Sequence, residues 1–486
     1  MSAASPSYRL TRLCFQRALA FVYAVAFLAT LQQFPGLIGS HGLLPVAAYV
    51  KEVRFWEAPS LFLWNSSDAA MAAAAWAGLF LALVALSGLS ERFGAWVSAA
   101  VWSGLWALYL SFVNVGQVFY GFGWETMTLE AGFLAVFFGS EDVEPPAVIV
   151  WFLRWVLFRL MFGAGLIKLR GDECWRDFTC MFYHYETQPI PNPLSWYFHH
   201  MPHALQKFET LFSLFVELPV PFLYFLPGFL GLAGGILTVL FQFTLILSGN
   251  LSWLNYLTIT IAIACFDDTA LGRFLPRPAR ETRPAGPARK VLLLALTALI
   301  LFLSVSPTKN LFSDRQAMNT SFEPLHLVNA YGAFGSVTKQ RAEIVFEGTE
   351  EWTVTPQTRW KEYEFRFKPG DPHRMPPVVA PYQPRLDWLL WFAAMSDWRE
   401  YPWLLNLAGK MLQNDRTVLG LLAKNPFPDH PPHYVRATLY RYRFSTPEER
   451  RRTGDWWTRS PLGLYLPPVS LDNERFTGLL RELGWL

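Results

Sequence analysis

The sequence predicts a polytopic α-helical membrane bundle of about nine spans, followed by a soluble, sheet-dominated α+β domain. Two observations carry that prediction. Before residue 307 lie about nine apolar runs, most of them at or near the roughly 17 to 25 residues that cross a hydrocarbon core of about 30 Å. Residues 307–486 hold no such run and are rich in proline, tryptophan and charge. Composition agrees: 52% of the 486 residues are hydrophobic and only 16% are charged, against about a quarter in a soluble protein.

The runs fall at 18–38, 69–89, 93–113, 122–140, 148–168, 208–227, 229–248, 252–267 and 290–306. The fourth is interrupted by polar residues, and the eighth is short. The first is too long for a cleaved leader and lacks a small-residue cleavage pattern, so it reads as an anchor. Lys and Arg in short loops stay cytoplasmic. That puts the loop 268–290 inside, with Arg273, Arg277, Arg280, Arg283, Arg289 and Lys290. Counting back across the eight spans before that loop puts Arg9, Arg12 and Arg17 inside as well. The expected division is residues 1–306 for the transmembrane domain, with an extracytoplasmic loop at 169–207, and 307–486 for an extracytoplasmic soluble domain.

Ionisable groups at membrane depth need a partner or a task. Arg159 and Glu217 lie near the middles of their spans at matched depth and are expected to form an intramembrane ion pair. Arg154 lies nearer the inner end and can snorkel to the headgroups. Glu125 and Glu130 in GFGWETMTLEAG, and Lys168 in GAGLIKLRGD, lie near outer ends. Lys168 falls about 180° from Arg159 on a straight helix, although Gly163 and Gly165 could bend it. A partly desolvated lysine near a carboxylate can serve as a proton-transfer base. Lys168 with Glu125 or Glu130 is therefore the catalytic candidate, and a helix-end anchor or ion pair is its structural alternative.

The stretch after Lys168, LRGDECWRDFTCMFYHYETQPIPNP, carries more chemistry than a connection needs. Cys174 and Cys180 share the outer loop and are candidates for a disulfide, with free thiols as the alternative. A metal site drawing on these cysteines, His184 and one of His199, His200 or His203 is the rival, but its spacing is not a standard zinc pattern. No metal and no cofactor is assigned. Pro189 and Pro191 are expected to hold the segment extended over the membrane surface. Cys174, Trp175, Cys180, His184, Glu186, Pro189 and Pro191 thus form a candidate client-binding or structural loop. Asn65, Asn250 and Asn319 each open an N-x-Ser/Thr sequon on the outer side.

In the C-terminal part, AEIVFEG at 342–348 and YEFRFKPG at 363–370 alternate with a period of two, as strands do. Residues 381–395 read as a proline-started helix, and 425–444 as a proline-rich loop leading into another strand. Trp388, Trp391, Trp398, Trp456 and Trp457 could make a protein-binding face, or serve as core or membrane-surface anchors. There is no nucleophile elbow, P-loop, zincin motif or dinucleotide fingerprint. A net charge of +3 without a basic, aromatic-interleaved strip gives no reason to expect nucleic acid.

Several segments resemble the lipase maturation factor family: GLIKLRGDECWRDFTCMFYHYETQPIPNPLSWYFHHMP (165–202), FETLFSLFVELPVPF (208–222), FQFTLILSGNLSWLNYLT (241–258) and ACFDD (264–268). In the C-terminal part YEFRFKPGD, QPRLDWLLWFAAM and NPFPDHPPHYVRATLYRY are similar to the same family. The resemblance implies a chaperone-like membrane protein that helps secreted lipases, such as lipoprotein and hepatic lipase, to fold and assemble. It would sit in the endoplasmic reticulum if the source is eukaryotic, or the inner membrane if bacterial. Its partners would be the lipid bilayer and a secreted lipase or other extracytoplasmic client, and it need not be an enzyme. Lys168 with Trp175 seven residues on is also similar to one short pattern of the vitamin K-dependent carboxylase group, where the matching lysine is a base. That likeness supports the alternative of a membrane-embedded enzyme.

Overall fold

The structure is a computed structural model that describes residues 7–276, 282–284 and 286–486. Arg277 and Arg280 of the basic loop lie outside the described residues. The helices of the first part are α1 (Arg9–Leu37), α2 (Asp68–Ser87), α3 (Ala95–Val115), α4 (Gly123–Val136) and α5 (Ala147–Arg170). They continue with α6 (Met181–Thr187), α7 (His203–Glu217), α8 (Phe229–Ser248), α9 (Leu254–Ala262) and α10 (Pro287–Leu311).

Among the described residues six helices, α1, α2, α3, α5, α8 and α10, are long and apolar enough to cross a membrane. The expected spans at 122–140, 208–227 and 252–267 form helices of 14, 15 and 9 residues, so six of the nine expected spans have the length of a crossing helix. Proline explains one of these departures. α7 stops at Glu217 because Pro219 and Pro221 follow and cannot continue its hydrogen bonding. What remains is amphipathic. Leu205, Phe208, Leu211 and Phe215 are exposed on one stripe, and Gln206, Thr210, Ser213 and Glu217 are buried on another.

Local sequence fixes how the helices meet. Ser67 caps α2 by accepting from the Ala70 N–H, and Gly88 ends it in the left-handed conformation at φ 84°. The small residues of α2 let α1 come close: a Cβ on Gly78 would stand 2.3 Å from the Phe27 ring. At the N-terminal end of α1, the N–H groups of Arg9 and Leu10 donate to the Asp268 carboxylate. Arg12 donates to the Val143 carbonyl, and the Arg283 N–H to that of Asp142. At the other end of α1, Gln33 donates to the Gln383 carbonyl at 2.7 Å and accepts from the Arg385 N–H at 2.9 Å. The described basic residues of the N-terminus and the 268–290 loop therefore gather at one end of α1, and the sheet-bearing part docks on the other.

That part holds a small antiparallel pair, β1 (Thr320–Ser321) with β2 (Asn329–Ala330). The main sheet is antiparallel, in the order β4-β3-β5-β6, from β3 (Arg341–Thr349), β4 (Lys361–Glu362), β5 (Tyr434–Phe444) and β6 (Trp457–Val469). β3, β5 and the helix α11 (Arg385–Ala393) fall where the sequence pattern puts them. The strand expected at 363–370 does not form: β4 ends before it at Glu362, Glu364 makes an isolated bridge to Lys424, and the N–H groups of Phe367 and Lys368 turn to the Asp387 carboxylate. β6 was not expected. Its Pro461, Pro467 and Pro468 lack the N–H a central strand needs, and it lies at the sheet edge, where proline is tolerated. Of the tryptophans offered as a binding face, Trp388, Trp456 and Trp457 are buried and Trp391 and Trp398 half-buried. They are mainly core.

Candidate functional site

Three buried ion pairs hold the bundle and its junction with the sheet-bearing part, and their partners differ from those expected. Arg159 pairs with Glu130, not with Glu217. Glu130 also accepts from the Tyr331 hydroxyl at 2.7 Å and from the Asn329 N–H at 3.1 Å. Glu217 belongs instead to Lys168, whose Nζ stands 2.6 Å from one carboxylate oxygen and 3.1 Å from the Ser213 hydroxyl. Glu125 pairs with Arg385 of α11 and accepts from Tyr109. Matched depth was a poor guide because α7 ends at Glu217 and does not run through the expected span 208–227. Its end places Glu217 beside the last turn of α5.

These contacts revise the catalytic candidate. Neither Glu125 nor Glu130 reaches Lys168, whose ammonium is held by Glu217 and Ser213 and lies 4.6 Å from the centre of the Trp175 ring. Gly163 and Gly165 act as close-approach points. A Cβ on Gly163 would stand 2.5 Å from the Tyr331 carbonyl oxygen, and one on Gly165 2.8 Å from the Leu218 side chain. Arg154 does not snorkel outward; its Nε donates to the Ala264 carbonyl at 2.9 Å.

The proline-rich loop is also not an exposed extended strap. Residues 181–187 are helical, and Trp175, Cys180, His184, Pro189 and Pro191 are buried. The sheet-bearing part covers the loop. Arg341 donates to the carbonyls of Glu186, Gln188 and Pro189 at 2.9, 2.5 and 2.8 Å. Glu186 accepts from the Phe444 N–H, and Trp391 donates to the Thr187 carbonyl. Cys174 and Cys180 are a pair at disulfide distance, with Cα atoms 4.7 Å apart. Among the described residues no group of three or more His, Cys, Asp or Glu side chains is placed to hold a metal ion.

The sequon residue Asn250 is buried as well. Its amide donates to the carbonyls of Pro191 and Pro377, and its oxygen accepts from the N–H groups of Val379 and Ala380. Asn65 and Asn319 are exposed. Sequence reasoning missed Arg385, Asn329, Tyr331, Arg341 and Asn250 as the residues that clasp the two parts together. Arg385 alone left a signal, as a basic residue opening a mostly apolar helix; backbone-binding polar residues leave none.

Two cavities adjoin this clasp. A cavity of about 700 Å³ lies between the bundle and the sheet-bearing part, lined by Trp124, Arg170, Arg315, Trp388, Trp391 and Met395 among others. A second, of about 370 Å³, lies among α5, α7, α8 and α9, with Lys168, Ser213 and Glu217 at its polar end. His184 and Phe334 border both. Burial and the Lys168 ammonium hold the His184 imidazole down at about 4, so the ring is neutral near pH 7.

A helical membrane domain bearing an α+β domain clasped to one end defines the class: an integral membrane protein. The family is shown by comparison with known proteins. The lipase maturation factor transmembrane domain model matches residues 10–273, and the lipase maturation factor C-terminal domain model matches 327–467. The chain is 44% identical to lipase maturation factor 1 of Bos taurus, covering 96% of this chain and 90% of that protein. It is 43% identical to lipase maturation factor 1 of Homo sapiens, covering 99% and 91%. With lipase maturation factor 2 of Homo sapiens the identity is 30%, over 98% and 85%. No solved structure matches the chain. The chain belongs to the lipase maturation factor family.

Proposed function

We propose that this protein is a membrane-embedded maturation factor that assists secreted lipases, or similar extracytoplasmic clients, to fold and assemble. The observation that carries this is the likeness to lipase maturation factor 1, which runs through both the bundle and the sheet-bearing part. We divide the chain near residues 306–307, with the loop 169–207 and the C-terminal domain outside: lumenal in an endoplasmic reticulum membrane, periplasmic in a bacterial inner membrane. The basic residues at the far end of α1 favour this orientation, since such residues stay cytoplasmic. The outer side is oxidising, which favours a Cys174–Cys180 disulfide.

The client surface in this reading is the larger cavity, not the buried loop beneath it. The half-buried Trp391 and exposed Met395 offer apolar contact there, with the buried Trp124 and Trp388 forming its floor, and Arg170 and Arg315 offer charge. The test uses cells lacking their own maturation factor and expressing a secreted lipase. Supplying this chain should raise the lipase activity secreted per lipase molecule. A crosslinker placed at Met395 should capture the immature lipase. Unchanged specific activity across several secreted lipases would remove the proposal.

A further inference from the structure

The smaller cavity has a composition that a client protein does not explain. It lies within the bundle, and the exposed Leu205 and Phe208 of α7 and Thr244 of α8 line it, so it opens sideways between those helices. α8 is one of the six helices able to cross a membrane, so the mouth meets lipid and not bulk water. Inside, Leu160, Met161, Phe241 and Leu254 make a mainly apolar trough, in which Gln242 and Asn255 bond each other. At the other end stand Lys168, Ser213, Glu217, His184, Glu209 and Tyr185. A long apolar wall ending in a few convergent polar groups is the form of a small-molecule site.

The polar end also indicates the head group. Lys168 is neutralised by Glu217, and Glu209 accepts from the Tyr185 hydroxyl at 2.8 Å. One ammonium thus faces two carboxylates, an arrangement that repels an anionic head. His184 forms ring contacts with Tyr185 and Phe334, and among the described residues its ring nitrogens make no hydrogen bond. A neutral imidazole offers one donor and one acceptor, which match a hydroxyl or an ester. At about 370 Å³ the space lies near the lower end of the roughly 300–1,000 Å³ of ligand sites. It suits one acyl chain better than two.

We propose that this cavity binds an uncharged single-chain lipid of the monoacylglycerol type, its head at His184 and its chain along Leu160, Met161 and Phe241. The site does not depend on the client reading, because binding is measured with no client present. The test uses the full chain in lipid nanodiscs and a monoacylglycerol carrying a photoreactive group in its acyl chain. Labelling should saturate and map to peptides of α5, α8 and α9. Unlabelled 1-monooleoylglycerol should compete at least about tenfold better than oleate, the cost of bringing a carboxylate to Glu209 and Glu217. Ala164→Phe, which fills the trough, should abolish the label. If that variant does not fold, Leu254→Trp fills the same space from α9. His184→Phe should weaken competition by monooleoylglycerol, and Glu209→Gln should narrow its advantage over oleate. Labelling that does not saturate, that spreads evenly over the lipid-facing helices, or that oleate displaces equally well would overturn the proposal.

Discussion

Arg159 and Glu130 show what a charge costs inside a bilayer. Both are almost wholly buried, and Glu130 also accepts from Asn329 and Tyr331. Glu130→Gln leaves the guanidinium without its counter-ion and should destabilise the folded chain by about 3–5 kcal/mol. The double variant Arg159→Met, Glu130→Leu should recover much of that, as measured by unfolding in detergent. His184 carries a second prediction. Its folded pKa, about 4, lies below the ordinary value of about 6.5. As pH falls from 6.5 toward 4 the unfolded chain gains a proton there that the folded chain does not, so stability is lost. Wild type should lose stability relative to His184→Gln as pH drops from 7 to 5, followed by melting temperature. That these residues mattered was legible, because charges in apolar runs are conspicuous. Their pairing was not. It depends on where α7 breaks and on residues such as Asn329 and Arg385, more than 190 positions away from their carboxylates along the chain.

At the scale of elements, the long apolar runs announced themselves, and β3, β5 and α11 followed from periodicity and a proline start. The failures share a cause. α4, α7 and α9 are apolar in total, but polar residues, prolines and a glycine-rich flank limit their helical length, which a composition window does not register. β6 failed for the opposite reason, since proline argues against a strand unless its edge position is known. Gly163 is where two elements touch. The Cβ of Gly163→Val would meet the Tyr331 carbonyl at 2.5 Å, forcing β2 and its flank off α5 at a cost of about 1–3 kcal/mol. Limited proteolysis should then cut the 312–326 segment faster than in wild type, with the bundle fragment left intact.

For the molecule as a whole, the division into a membrane part and a sheet-bearing part was readable from composition, but their intimate docking was not. Glu125 with Arg385 ties α4 to α11, and Arg341 grips three carbonyls of the proline-rich loop. A double-mutant cycle on Glu125→Gln and Arg385→Met should give a coupling energy of about 1–3 kcal/mol. Additive effects in unfolding would mean that the two parts are merely tethered. A temporal consequence follows from α1. Its first N–H groups are satisfied by Asp268, and Gln33 near its far end by Gln383 and Arg385. During synthesis this helix emerges before the other described helices, yet one terminus waits for residue 268 and the other for residue 385. The earliest of the described helices to be made is thus among the last to be finished, and a nascent chain stalled before its C-terminal domain would hold an incomplete α1.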